Sequence, residues 1–264
     1  MEKLTVQTNI DISISVVSHG QIHLITNLLS DIDKYCQHLS LELILTLNLK
    51  EILPFDINCF SFPIKLIVNL VPNGFGANHN HAFAQATGQY FCVINPDIRL
   101  YDDLFLALIK CFKQPLVGLV APLVVSNSGN VEDSARFFPT PFKILCKVFG
   151  GGKGSDYVMK GQVIYPDWVG GMFMLFPRKI FENLIGFNEQ FFLYYEDVDL
   201  CARLRLKGYE VVLCTAAKVI HDAQRTSHKS LKYFKWHLIS MLRFFCSAVF
   251  LKILWQKLTR VKVK

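Results

Sequence analysis

None of the eight cysteines of this 264-residue chain is spaced as a C-x-x-C pair, and most sit inside apolar runs such as Phe91-Cys92-Val93. That excludes a zinc ribbon or a disulfide-stapled scaffold and leaves buried, reduced thiols. The N-terminus has no basic stretch followed by an apolar core and a small-residue cleavage site, so no secretory leader is expected and the chain is placed in the cytoplasm. Internal repeats and low-complexity tracts are absent. The longest uncharged stretch, residues 114–131, is broken by Pro115, Gly118, Pro122 and Gly129. It reads as strand and loop, not as a membrane span of about 20 apolar residues. No G-x-G-x-x-G follows the first strand candidate, which excludes a dinucleotide-binding oxidoreductase. Residues 229–264 carry many Lys and Arg and no Asp or Glu at all.

What is present is 52% apolar, 19% charged and 13% aromatic, enough to bury one full core and to exclude disorder. The length fits one domain over residues 1–228 followed by a basic, aromatic helical tail over 229–264. The net charge of +7 points to an anionic partner, which could be nucleic acid, an anionic membrane surface or a phosphorylated substrate. Within 231–258, Lys232, Lys235, Arg243, Lys252 and Lys257 interrupt aromatic and aliphatic residues. A helix of that kind lies in a membrane interface without crossing it, or packs on its own domain or on a second subunit as a homodimer. No module with stacking aromatics on a defined basic surface is recognisable, so nucleic acid is not expected as a partner.

The hydrophobic pattern predicts an α/β fold. Ile12–Ser18 is a strand rich in β-branched residues, followed by helical spacing through Ile22, Leu24, Ile25, Leu28, Leu29 and Ile32. Leu41–Leu47, residues 64–70 and Tyr90–Ile94 read as further strands, with a helix over 77–86, and residues 116–125, 168–176 and 210–214 read as later ones. The alternation predicts a mostly parallel central sheet flanked by helices. Ligands in such sheets bind outside the carboxyl ends of the strands. Those ends hold Ser18 and His19, Asn48, Asn73 through Gly76, and Asn95 through Asp97.

Asn95-Pro96-Asp97 ends a buried strand in a polar turn, where a carboxylate can hold a divalent cation against a diphosphate. All three residues are also ordinary turn formers. The segment from Asn73 to Asn78 joins a strand to a helix, and Gly74 and Gly76 either let backbone approach a phosphate or sugar or serve the turn alone. Glu196, Asp197 and Asp199 open a helix that ends near Gly208. The helix dipole and an Asp199 to Arg203 pair explain part of this, but not the aromatic run from Phe191 to Tyr195 just before it. Aromatic side chains against a carboxylate can shape an acceptor site and raise the pKa toward that of a general base. His221, after a strand-like segment, is either structural or within reach of the same metal as Asp97. Gly170 and Gly171 open a buried strand, as a bulge or a ligand approach, and residues 132–136 read as a charged surface loop.

The order of these pieces resembles the inverting family 2 glycosyltransferases of GT-A fold, especially the rhamnosyltransferase-like branch that assembles bacterial polysaccharides. The matching stretches are ISVVSH (14–19), NGFGANHNHAF (73–83), VINPDIRL (93–100), EDSARFFPTP (132–141), DWVGGMFMLFPR (167–178) and GFNEQFFLYYEDVDLCARLRLKGY (186–209), completed by His221. The resemblance implies a nucleoside-diphosphate sugar donor such as dTDP-rhamnose and a saccharide or lipid-linked acceptor. It implies Asp197 as catalytic base with Glu196 beside it, Asp97 as ligand to Mn²⁺ or Mg²⁺, and His221 as a second metal ligand. On the same basis Val17, Ser18, His19, Asn48, Asn73, Gly74, Gly76, Asn78, Asn95, Gly170 and Gly171 line the donor, and Trp168, Tyr195 and Glu196 the acceptor. Two departures stand out: Asn95 replaces the first Asp of the family's D-x-D, and Asn48 stands where many relatives carry a base-binding Asp. These keep open an inactive nucleotide-sugar or glycan binding protein, against which the intact Glu196-Asp197 and His221 argue. A sugar-phosphate nucleotidyltransferase would need a Gly- and Arg-rich loop with a Lys after the first strand, and Ser18-His19-Gly20-Gln21 is not one. A cytoplasmic enzyme peripheral to the inner face of the membrane would suit the basic tail.

Overall fold

Apolar runs bounded by polar turns become the strands of one nine-stranded sheet, ordered β3-β2-β1-β4-β10-β6-β11-β5 with β8 paired to β11 outside that path. These are β1 (Ile12–Ser18), β2 (Leu41–Leu47), β3 (Ile64–Val68), β4 (Tyr90–Ile94), β5 (Ile98–Arg99), β6 (Val117–Ser126), β8 (Val163–Ile164), β10 (Phe173–Pro177) and β11 (Glu210–His221). A second, two-stranded sheet pairs β7 (Ala135–Arg136) with β9 (Trp168–Val169). The helices are α1 (Ile22–Tyr35), α2 (Phe75–Gln85), α3 (Phe105–Cys111), α4 (Pro141–Val148), α5 (Arg178–Asn183), α6 (Glu196–Leu206), α7 (Leu231–Phe245) and α8 (Ala248–Val261). The computed structural model describes residues 10–148, 155–159, 161–222 and 231–261. The boundary expected between 228 and 229 lies outside the described residues.

Successive side chains of a strand point to opposite faces, and the central strands are buried on both. In β4, Cys92 and Ile94 join α1 and α3 in one apolar cluster, while Phe91 and Val93 join α2 and α6 in the other. The serines of β1 are completely buried, so each hydroxyl needs a partner. Ser13 Oγ donates to Glu42 Oε1 at 2.5 Å and accepts from Gly88 N–H at 2.8 Å, and Ser15 Oγ meets His79 Nδ1 at 2.8 Å. Burial lowers the His79 pKa to about 3, which keeps that ring neutral.

Four differences from the sequence expectation follow from chain connectivity. The sheet is mixed: β3, β2, β1 and β4 are parallel, but β10 runs antiparallel to both β4 and β6. Asn95 N–H donates to Met172 O at 2.9 Å, so the chain enters β10 at the carboxyl end of β4 and must run back along it. The single strand expected over 168–176 is two, β9 and β10, split by a turn at 170–172 that carries both glycines. The strand expected over 210–214 continues through a register shift between Cys214 and Lys218 to His221. The tail is two helices bent by 57°. Neither is long and apolar enough to cross a membrane, which holds for every described helix.

Candidate active site

Two groups of side chains, joined by one short segment, gather at the carboxyl ends of β4 and β11. In the first, His221 at the end of β11 places Nε2 at 3.1 Å from Asp97 Oδ2 and Nδ1 at 2.8 Å from Glu132 Oε2. Backbone fixes the pair, because Asp222 N–H donates to Asp97 O at 2.8 Å and β5 pairs antiparallel with β11. Burial disfavours the imidazolium, but the hydrogen bonds and charges of Asp97 and Glu132 outweigh it and raise the His221 pKa to about 9.

The second group forms at the N-terminus of α6. Asp197 accepts from Gly171 N–H at 3.0 Å through Oδ2 and from Val198 N–H at 2.8 Å through Oδ1, the bonds expected of a carboxylate in the first turn of a helix. Burial raises its pKa above that of an ordinary aspartate, while these amides and the charge of Arg136 act in the opposite direction. Beside it Glu196 is buried and pushed well up, first by burial and then by the charge of Asp197. Of the two, Glu196 holds its proton and Asp197 is the one that ionises, because the amides face Asp197. The turn into the helix is strained: Tyr194 and Tyr195 have φ of 70° and 66°, a left-handed region that costs a non-glycine residue about 1–3 kcal/mol.

Residues 132–136 are the bridge between the two groups, not the surface loop expected. Glu132 holds His221, Ser134 O accepts from Gly170 N–H at 2.9 Å, and Arg136 lies 5.7 Å from the Trp168 ring with its charge felt at Asp197 and Tyr195. Five buried side-chain polar atoms lack a partner among the described residues, and four of them are here: Asp97 Oδ1, Asp133 Oδ1, Ser134 Oγ and Glu196 Oε2. Orphaned polar atoms are uncommon in native interiors, and their concentration here singles this place out as the candidate site.

Several of the expected ligand-binding residues turn out to be occupied by the protein itself. Asn48 makes four hydrogen bonds: Nδ2 to His19 Nδ1 and to Asn73 O, and Oδ1 from Asn69 Nδ2 and from Asn73 N–H. Those bonds fill the amide's donor and acceptor positions in this structure, and Asn48 orders the turn. Asn78 joins this cluster with two bonds, accepting from Asn69 Nδ2 and donating to Asn73 O. Gly74 and Gly76 are required for close packing. A Cβ on Gly74 would stand 2.7 Å from Phe192 O, and one on Gly76 would stand 2.6 Å from Phe187 Cβ. Ser18 Oγ accepts from Gln21 N–H at 3.2 Å, next to Val17 and the exposed His19. Trp168 Nε1–H donates to Phe137 O at 3.0 Å. The Tyr195 ring is buried against His237, Phe244 and Phe245 of α7, so it faces the tail.

Asp97 and His221 suit a divalent cation chemically, since carboxylate and imidazole both ligate Mn²⁺-type ions and Asp97 Oδ1 is free to do so. Among the described residues no group of three or more His, Cys, Asp or Glu is arranged to hold a metal. Such an ion would therefore take further oxygens from its substrate.

Comparison with known proteins gives consistent results. The model of glycosyl transferase family 2 matches residues 46–181, and that of the N-terminal domain of galactosyltransferase matches residues 157–229. Rhamnosyltransferase WbbL of Escherichia coli (strain K12) is 29% identical over 245 residues, 88% of this chain and 91% of that protein. An N-acetylglucosaminyl-diphospho-decaprenol L-rhamnosyltransferase of Mycobacterium tuberculosis (strain CDC 1551 / Oshkosh) is 27% identical over 179 residues, 58% of each. Mannosyltransferase PcManGT from Pyrobaculum calidifontis, solved with GDP-Man and Mn²⁺, superposes with a TM-score of 0.61 at 17% identity, over 89% of this chain and 63% of that one. This last likeness shows a shared GT-A fold.

Proposed function

The chain belongs to the family 2 glycosyltransferases, on their rhamnosyltransferase-like branch, and from that premise we propose an inverting transfer from a nucleoside-diphosphate sugar, dTDP-rhamnose in the first instance, to a saccharide or lipid-linked saccharide acceptor. The observation that carries the reading is the pairing of one ionisable carboxylate, aimed by Gly171 and Val198 amides, with a second carboxylate beside an imidazole that keeps a buried oxygen free. Asp197 takes the proton of an acceptor hydroxyl as its oxygen bonds to the anomeric carbon. The bond from that carbon to the diphosphate breaks on the opposite face, and its electron pair leaves on the phosphate oxygen. A divalent cation held by Asp97 and His221 would offset the charge that gathers there. Glu196, kept protonated, donates to an acceptor oxygen, and Arg136 with Trp168 borders the acceptor.

The donor-lining role extends to Val17, Ser18 and His19 at the end of β1, Asn95 after β4, Asn73 before α2, and Gly170 and Gly171 between β9 and β10. Base recognition falls to main chain and to residues other than Asn48, whose amide is saturated.

The test is thermal stability against nucleoside diphosphates and their sugars with and without Mn²⁺, followed by transfer with the donor that binds. A ligand that binds only the native state raises its melting temperature. A metal-dependent shift that disappears in His221→Ala, together with donor binding but loss of about 10²–10⁴-fold in transfer by Asp197→Asn, is expected. Transfer near the wild-type rate in Asp197→Asn removes that residue from the role. Binding without transfer in the wild-type chain favours the inactive binding protein.

A further inference from the structure

We propose that the outward faces of α7 and α8 form a docking surface for an anionic lipid bilayer, on which the two helices lie without crossing it. Each helix has two apolar faces. The inward face belongs to the domain: Ser240, Phe244, Phe250 and Ile253 are buried, and Ser240 Oγ donates to Leu193 O at 2.9 Å. The outward face has no cover: Phe234 is 67%, Leu238 41% and Leu242 53% exposed on α7, with Leu251 at 60%, Trp255 at 69% and Leu258 at 57% on α8. Positions 231, 234, 238 and 242 repeat at helical spacing, so the exposed residues of α7 form a stripe and not a scatter.

Charge decides what covers this stripe. Residues 229–264 contain no acid, and Lys235, Arg243 and Lys252 lie among the exposed apolar side chains with no ion pair among the described residues. A two-fold contact between copies sets a patch against itself, which would bring these cations together with nothing to neutralise them. An anionic lipid surface attracts them, and an exposed tryptophan is suited to the headgroup level. Neither helix spans alone, and although the bent pair together has the length and composition of a span, its packing on the domain argues against one. Helices of 15 and 14 residues measure roughly 22 Å and 21 Å, against a hydrocarbon core of about 30 Å, and their inward faces are already occupied.

The surface is joined firmly to the strained turn before Glu196. Trp236 meets Phe192 at 4.7 Å between ring centroids, His237 meets Tyr194 at 5.3 Å and Tyr195 at 5.5 Å, and Phe244 lies 5.8 Å from Tyr195. Docking through α7 and α8 therefore fixes the orientation of that turn relative to the bilayer. The inference does not depend on which sugar or acceptor is used.

The experiment is sedimentation of the full chain with phosphatidylglycerol–phosphatidylethanolamine vesicles and with phosphatidylcholine vesicles, at low and high salt. Partition onto the anionic vesicles, weakened by salt, is expected. Lys235→Gln, Arg243→Gln and Lys252→Gln should each weaken it about fivefold. Phe234→Ser with Trp255→Ser should weaken it tenfold or more, while the melting temperature and transfer to a water-soluble acceptor stay unchanged. In an otherwise wild-type chain, Trp255→Phe should remove most of the blue shift of tryptophan emission on anionic vesicles, a readout that survives if the double variant folds poorly. Partition that ignores lipid charge and these substitutions overturns the proposal. So does a stable dimer that the same substitutions split. Loss of transfer in the wild-type chain would instead sink the catalytic reading and leave this one standing.

Discussion

Asp197 and Glu196 are neighbours in sequence with opposite protonation, and the difference comes from what each carboxylate touches. Two backbone amides face Asp197, whereas Glu196 Oε2 is buried without a partner. The folded state holds the Glu196 proton more tightly than the unfolded chain, so its contribution to stability is present at acid pH and is lost as pH rises through the raised pKa. Glu196→Gln removes that loss. Its melting temperature should exceed that of the wild type by a margin that grows with pH, and a margin constant across pH counts against the buried acid. Arg136 lowers the pKa of Asp197 through its charge, so Arg136→Gln should move the acid limb of the transfer profile to higher pH. An unmoved limb would mean that another group titrates there. Neither effect is readable from the sequence, where Arg136 is one more charge in a polar loop.

At the level of elements, the packing of α2 against residues 187–192 sets the position of the turn that carries Asp197. Phe75 N–H donates to Phe192 O at 2.8 Å, an approach that Gly74 alone allows. Gly74→Ala should destabilise by roughly 1–3 kcal/mol through overpacking and lower transfer, because the displaced backbone leads directly into α6. Gly170→Ala should be milder, since its Cβ would meet the flexible end of Met172 at 3.3 Å. Comparable destabilisation in the two variants would refute this account of Gly74. The longer strands and the helices α1, α2 and α6 were legible in the sequence, down to the ends of β1, β2 and β4. The short helices α3, α4 and α5 were not, since six to eight residues give too few turns for a periodicity to show.

For the molecule as a whole, the tail is both part of the core and part of the surface. Phe244, Phe250 and Ile253 belong to the same apolar cluster as Phe91, Leu200 and Leu204. A chain ending at residue 222 would expose that cluster along with Tyr195, and scanning calorimetry should show loss of cooperative unfolding or precipitation. A truncated chain that melts within a few degrees of the full one would make the tail an appendage.

The sequence by itself determined the family, the α/β pattern, the carboxylates at strand and helix ends and the basic, acid-free tail. All of these are local properties: periodicity, turn chemistry and charge are written over a few consecutive residues. The tertiary structure alone decided that Glu132 reaches His221 across 89 positions and that Asn48 is spent on Asn69 and Asn73. It also decided that Gly74 and Gly76 face Phe192 and Phe187, and that α7 backs the turn before Asp197. Those facts depend on which distant groups come within hydrogen-bond or van der Waals reach once the sheet closes, and a donor or a bare Cα has no partner until then.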